Sequence, residues 1–217
     1  MIARKQVLIP LTVLATGQGS SLLEIIIEPA GLGAGSVPHF ELLHSSGLGA
    51  AVAAAQAALA VVRVSPILPA EGSYLSHLLH EPPLLYVANP TPQLSNSAGA
   101  ALGIALGLLM YQGVCGGDRL IASGCLQTAD PADTVTLSPD LHIDAKLEIA
   151  LTLGPQPTPL PFVVPAQVTA GLPTARHCAD VIARLAGLNI PVLPVASLET
   201  AVTACRRTFP TMSVASV

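Results

Sequence analysis

Lysine occurs only twice in this sequence, at Lys5 and Lys146, against seven arginines. Lys146 stands in Ile143-Asp144-Ala145-Lys146-Leu147-Glu148-Ile149-Ala150, a helix-forming segment whose members are mainly apolar. The ordinary place for such a lysine is the surface, paired with a nearby carboxylate, where it contributes little to stability. A lysine drawn partly out of water is chemically different. Desolvation favours the neutral amine, and a neutral amine is a usable general base.

The second residue of interest is Ser97, in Leu94-Ser95-Asn96-Ser97-Ala98-Gly99-Ala100. A serine between a proline-containing loop and an apolar helix ordinarily caps that helix by accepting a free backbone N–H. The same position suits a nucleophile. A helix N-terminus stabilises developing negative charge, and its backbone N–H groups can hold an oxyanion. Small residues at Ala98 and Gly99 let a substrate backbone approach closely.

Other constellations carry less chemistry. Asp144 and His177 follow Ser97 in the order of a hydrolase triad, but neither falls in a loop after a strand, as that chemistry requires. His77 and His80 are three apart in a proline-flanked connector without further ligand spacing, so no metal site is expected. No glycine loop carries the Gly-Lys-Ser/Thr of a phosphate-binding loop. No cofactor is expected.

The elements that must position Ser97 and Lys146 follow from hydrophobic spacing and breakers. Strands are expected at 7–15 and 21–28, joined by the turn Thr16-Gly17-Gln18-Gly19-Ser20, with the second buried on both faces. A glycine-rich loop, a short strand at 40–44, a helix over 47–63 and an irregular connector over 66–83 come next. A strand at 84–88 leads through a loop to a helix from Ser97 to about Tyr111, whose Gly99, Gly103 and Gly107 line one face for tight packing. Strands at 120–126 and 134–137, a helix over 143–153, and a strand at 162–165 follow. A helix over 175–186, a strand at 191–195 and a helix over 198–207 complete the pattern. Alternating strands and helices in the second half predict an α/β fold with a mixed sheet. One domain over residues 1–207 and a tail over 208–217 are expected.

Composition narrows the function classes. Apolar residues make up 51% of the 217 and charged residues only 10%, against about 25% charged in typical domains. So little polar surface predicts a homo-oligomer that buries apolar area between copies. A formal net charge of −4 without a basic stripe argues against nucleic acid as a partner. The apolar stretches 47–62 and 98–110 are shorter than the roughly 20 residues of a membrane span. Four scattered cysteines without a CxxC pair suit reduced thiols and a cytoplasmic location.

Several collinear segments together resemble the proteolytic domain of Lon proteases. Asn96-Ser97-Ala98-Gly99 before an Ala/Leu helix is similar to the Pro-Ser-Ala-Gly signature of that family's nucleophile. Ile121-Ala122-Ser123-Gly124 resembles its Met-Thr-Gly strand. Asp144-Ala145-Lys146-Leu147-Glu148-Ile149-Ala150 resembles its Lys-Glu-Lys-Leu-Leu-Ala-Ala helix, whose second lysine is catalytic. Pro161-Phe162-Val163-Val164-Pro165-Ala166 and Ile190-Pro191-Val192-Leu193-Pro194-Val195 resemble its later strands. Upstream, residues 22–35 are similar to its early strand and glycine loop, with Glu28 at the matching acidic position.

The resemblance implies a Lon-like fold of the ribosomal protein S5 domain 2-like architecture. It implies a serine endopeptidase with Ser97 as nucleophile, Lys146 as general base and Ser123 as the hydroxyl that orients the lysine. The backbone N–H groups of Ser97 and Ala98 would hold the oxyanion, with Glu28 in support. Substrates would be unfolded proteins or peptides. The family couples its protease to an ATP-driven unfoldase, for which 217 residues leave no room; activity is therefore ATP-independent or borrows a separate ATPase. A hexameric ring is implied as the oligomer.

The sequence also departs from the family. Leu94-Ser95-Asn96 stands where Asp-Gly-Pro is typical, and Leu84-Leu85-Tyr86 occupies the strand that usually contains a histidine. These departures favour an alternative, a catalytically silent Lon-like domain acting as a binding or assembly module. Small-molecule kinases of the wider fold group are a third alternative, disfavoured by the missing phosphate loop.

Overall fold

The computed structural model describes residues 4–12, 21–28, 84–87, 100–111, 115, 117–128, 135–138, 142–166 and 175–209. The strands and helices expected between residues 40 and 63 lie outside them. The first strands are β1 (Lys5–Leu11), β2 (Ser21–Glu28) and β3 (Leu84–Val87), followed by helix α1 (Ala100–Tyr111). Next come β4 (Arg119–Ala122), β5 (Cys125–Thr128), β6 (Val135–Ser138) and helix α2 (Ile143–Leu151). The chain then forms β7 (Phe162–Pro165), α3 (Ala175–Gly187), β8 (Val192–Val195) and α4 (Leu198–Thr208). The fold is α/β.

Six strands form one mixed sheet in the order β3-β2-β1-β4-β7-β8, and β5 and β6 form a separate hairpin. β1, β4, β7 and β8 are parallel, whereas β2 is antiparallel to both β1 and β3. Five strands therefore point one way and β2 alone points back.

Strand alternation sorts the core into two layers. Val7, Ile9, Leu120, Ala122 and Val163 face one side, with α1 and α4 packed over them. Leu8, Ile121, Phe162 and Val164 face the other, beneath α2 and α3. The result is a three-layer helix–sheet–helix arrangement with apolar contacts on both faces of the central strands.

The crossovers do not share one hand. The connections β3–α1–β4, β4–α2–β7 and β7–α3–β8 all step in the same direction across the sheet. Only α1 lies on the opposite face. Right-handed crossovers stepping in one direction keep their helices on one face. The β3–α1–β4 crossover therefore has the opposite hand to the two later units. Its consequence is positional, because it sets α1 and α2 on opposite sides of the same central strands.

Close packing explains how α1 fits. Every residue from Leu102 to Met110 is buried, so no polar stripe survives there. Gly103 lies over Val7 and Ile9, and Gly107 over Val7 and Ile27, as the glycine spacing predicted; Gly99 lies outside the described residues. A Cβ at Gly107 would stand 2.5 Å from Ile27 Cδ1 and 2.6 Å from Val7 Cγ2. Overpacking of this kind costs about 1–3 kcal/mol. We expect Gly107→Val to destabilise the chain by about 2–3 kcal/mol in urea unfolding. Gly107→Ala should cost less, because the better helix propensity returns about 1 kcal/mol.

Two expectations need correction. Residues 120–126 form two strands in different sheets rather than one. Gly124, at φ 137°, takes a backbone conformation that side chains disfavour and turns the chain out of the main sheet after Ser123. The second strand is also not buried on both faces along its length. Leu22 and Glu24 are only half-buried, whereas Ile25, Ile26 and Ile27 are buried.

Termination of the helices follows local chemistry. α2 ends before Gly154, whose φ of 65° is the left-handed conformation typical of a helix stop. α4 begins with a capping box, in which Ser197 Oγ accepts from Thr200 N–H and Thr200 Oγ1 accepts from Ser197 N–H. The last helix extends to Thr208. Among the described residues, no helix is long and apolar enough to cross a membrane.

Candidate catalytic site at the carboxyl end of the parallel strands

Helix direction can be read from contacts at each end. Gly103 sits against Ile9, and Gly107, one turn later, sits against Ile27. Ile27 pairs with Lys5 at the start of β1. α1 therefore runs against β1, and its N-terminus lies at the carboxyl end of the parallel strands. α2 does the same on the other face. Beyond its C-terminus, Gln156 Oε1 accepts a hydrogen bond of 3.1 Å from Nη1 of Arg119, the first residue of β4.

Two helix N-termini thus converge on the end of the sheet where β4 stops and Ser123 begins. Open α/β sheets place their ligand sites at this carboxyl end. Ser123 N–H donates to Val163 O at 3.0 Å, carrying the β4–β7 ladder one step beyond Ala122. Strand alternation then gives Ser123 the same face as Ile121, in the layer beneath α2 and α3. Its side chain is fully buried, at 0% exposure.

Lys146 lies in the first half of α2. Ile143, Lys146, Leu147 and Ala150 are buried together, the i, i+3, i+4, i+7 stripe that a helix turns toward a core. Lys146 is 7% exposed, so the ordinary surface position is excluded. Its backbone N–H donates to His142 O at 3.1 Å. His142 caps the helix at φ 65° without a side-chain cap bond. A side chain in that left-handed conformation costs about 1–2 kcal/mol, so strain is held in the turn that presents Lys146.

Among the described residues, Ser123 and Lys146 are the two buried polar or charged side chains. Neither is without a partner. Burying polar groups costs free energy that apolar residues of similar size would not incur. Core packing alone supplies no reason for a lysine at position 146.

Of the other site residues expected from sequence, Ser97 and Ala98 lie outside the described residues, just ahead of the start of α1 at Ala100. Glu28 ends β2, where it pairs in register with Leu84 of β3. β2 runs against β1, so Glu28 lies at the amino end of the parallel strands, the opposite end from Ser123. Asp144 and His177 do not form a triad arm: Asp144 lies within α2, and His177 Nε2 pairs with Glu148 Oε1 at 2.8 Å across α2 and α3. That pair is exposed on both sides and contributes little. His77 and His80 lie outside the described residues, among which no cluster of metal-ligating side chains occurs.

Sequence reasoning missed a polar network at the opposite end of the sheet. Arg119 Nε donates to Gln6 Oε1 at 2.5 Å, and Gln6 Nε2 donates in turn to Glu24 Oε1. Lys5 Nζ, the chain's other lysine, bonds Asp118 Oδ1 at 2.6 Å. Gln6 and Glu24 interrupt otherwise apolar strands, and that interruption was the available signal. The network closes the amino ends of the strands and holds no nucleophile–base pair.

Fold and site together define an α/β protein with a buried serine and a buried lysine on one face of its central sheet. No protein-family model matches the chain, and no curated protein matches it.

Proposed function

We propose that the chain is a serine endopeptidase of the Lon type, on a ribosomal protein S5 domain 2-like fold, using Ser97 and Lys146 as its catalytic dyad. The observation that carries this reading is the burial of Ser123 and Lys146, the two buried polar side chains among the described residues. The sequence resemblance singles out the same two positions.

In this reading Ser97 Oγ attacks the scissile carbonyl as Lys146 Nζ takes its proton. The backbone N–H groups of Ser97 and Ala98 hold the resulting oxyanion. The tetrahedral intermediate collapses, the peptide C–N bond breaks, and Lys146 returns the proton to the leaving amine. Water then attacks the acyl-enzyme, again giving its proton to Lys146, and the acid product leaves with Ser97 restored. Ser123 orients the amine, whereas Glu28, at the other end of the sheet, takes no part in this step. Substrates are unfolded proteins or peptides, cut either without ATP or with a separate ATPase that delivers folded ones. The chain works as a homo-oligomer, a hexamer by resemblance, in the cytoplasm.

The test is cleavage of unstructured casein and of a fluorogenic peptide library by wild type and Ser97→Ala. Wild type should cut both, and Ser97→Ala should lose about a thousandfold or more in kcat/KM, as nucleophile removal does in serine peptidases. Absence of wild-type cleavage at high enzyme concentration and alkaline pH would move the assignment to a silent binding module. That second reading draws on Leu94-Ser95-Asn96 before the nucleophile.

A further inference from the structure

Cysteines 115 and 205 are about 90 residues apart in sequence, yet the fold brings their side chains together. Cys115 follows α1 and Cys205 lies in the last turns of α4. Both are buried in the core layer shared by α1 and α4, where the Cys205 thiol lies close enough to act on that of Cys115. A neighbouring contact brings the same two segments together. Gly117 lies so close beneath the Phe209 ring that a Cβ there would stand 2.5 Å from Phe209 Cζ. The segment around Cys115–Gly117 is thus packed directly against the end of α4. Cys178, also buried, belongs to the other core layer across the sheet.

We propose that Cys115 and Cys205 are a reversible dithiol–disulfide couple, whose oxidation ties α4 to the segment that joins α1 to β4. The inference is independent of the peptidase reading. The oxidant is a small-molecule disulfide. One protein thiol loses its proton and attacks a sulfur of that disulfide, forming a mixed disulfide and releasing one small thiol. The second protein thiol loses its proton and displaces the other small thiol. Two protein thiols are oxidised and one small disulfide is reduced to two thiols.

Access controls the rate. Hydrogen bonding to Cys205 and burial raise the Cys115 thiol well above its ordinary range, so the closed protein offers little thiolate at neutral pH. α4 carries Arg206 and Arg207 on its exposed side and is the last described element. A buried thiol pair reacts only when the structure around it opens locally. Oxidation therefore proceeds through openings of α4, and the product closes a long loop that stabilises the fold by restricting the unfolded chain.

The test uses the full reduced chain, equilibrated in mixtures of oxidised and reduced glutathione with and without low urea, then alkylated and mapped by mass spectrometry. The expected product is one cross-linked peptide pair joining Cys115 to Cys205, reversed by dithiothreitol. Its urea midpoint should lie above that of the reduced chain. Cys178→Ala should still form the link, whereas Cys115→Ala should form none. If only glutathione adducts or links to Cys125 or Cys178 form at every ratio, the proposal is wrong. An unchanged or lowered midpoint for the oxidised chain would also overturn it. The wild-type map decides the pairing even where a variant fails to fold.

Discussion

Lys146→Met is expected to abolish peptide cleavage, by about a thousandfold or more in kcat/KM, while changing stability by no more than about 1 kcal/mol. The argument begins with the place of the residue. Lys146 shares the buried stripe of α2 with Ile143, Leu147 and Ala150. Methionine has similar length and no charge, so it fills the same space without the cost of holding an amine away from water. Its loss leaves the lysine's polar partner unsatisfied, which costs about 1–3 kcal/mol. These effects oppose each other and nearly cancel.

A structural lysine would behave differently. Removing one partner of a buried ion pair costs about 3–5 kcal/mol, because the other charge is stranded. Urea unfolding of Lys146→Met separates the two cases, and a loss above 3 kcal/mol would make the residue a structural ion-pair partner. Lys146→Arg supplies the converse test. Arginine stays charged at all accessible pH and cannot accept a proton. It would preserve a structural pair but not a base. Cleavage by Lys146→Arg at near wild-type rate would therefore exclude the general-base role.

Much of the second half of the chain was legible from local pattern. Phe162–Pro165 lies between proline-marked turns, and the spacing of Ile143, Leu147 and Ala150 fixes a helix regardless of context. The missed features depend on contacts between distant residues. Residues 120–126 read as one apolar strand, because nothing local distinguishes a glycine that packs in a strand from one that turns the chain between sheets. The opposite hand of β3–α1–β4 depends on which face of the sheet α1 covers, and α1 is apolar all round. The Cys115–Cys205 pair is invisible to spacing rules. For the candidate site, the sequence marked Lys146 by its rarity and Ser123 only through resemblance. The burial of both comes from the way α2 lies against the sheet beside α3.

Phe162→Ala should be the most destabilising single truncation in the core, costing about 3–5 kcal/mol. Phe162 is one of only three phenylalanines in the chain and is completely buried. It pairs with Ile121 of β4 on one side and Val192 of β8 on the other. Its N–H donates to Pro191 O at 2.8 Å, which anchors the strand pairing. Because both neighbouring strands and both covering helices hold this position, the surroundings cannot collapse into the space a truncation leaves. The void therefore persists, and its full cost appears as lost stability. Against a total of about 5–15 kcal/mol for a domain, the urea midpoint should fall sharply with little change in slope. The cavity lies in the core that also holds Leu147, the neighbour of Lys146 on α2. Loosening that helix should lower kcat by up to about a hundredfold through misplacement of the base, far less than Lys146→Met. A Phe162→Ala loss below 1 kcal/mol would mean that α2 and α3 close over the gap. The layer that seats Lys146 would then be softer than its burial implies.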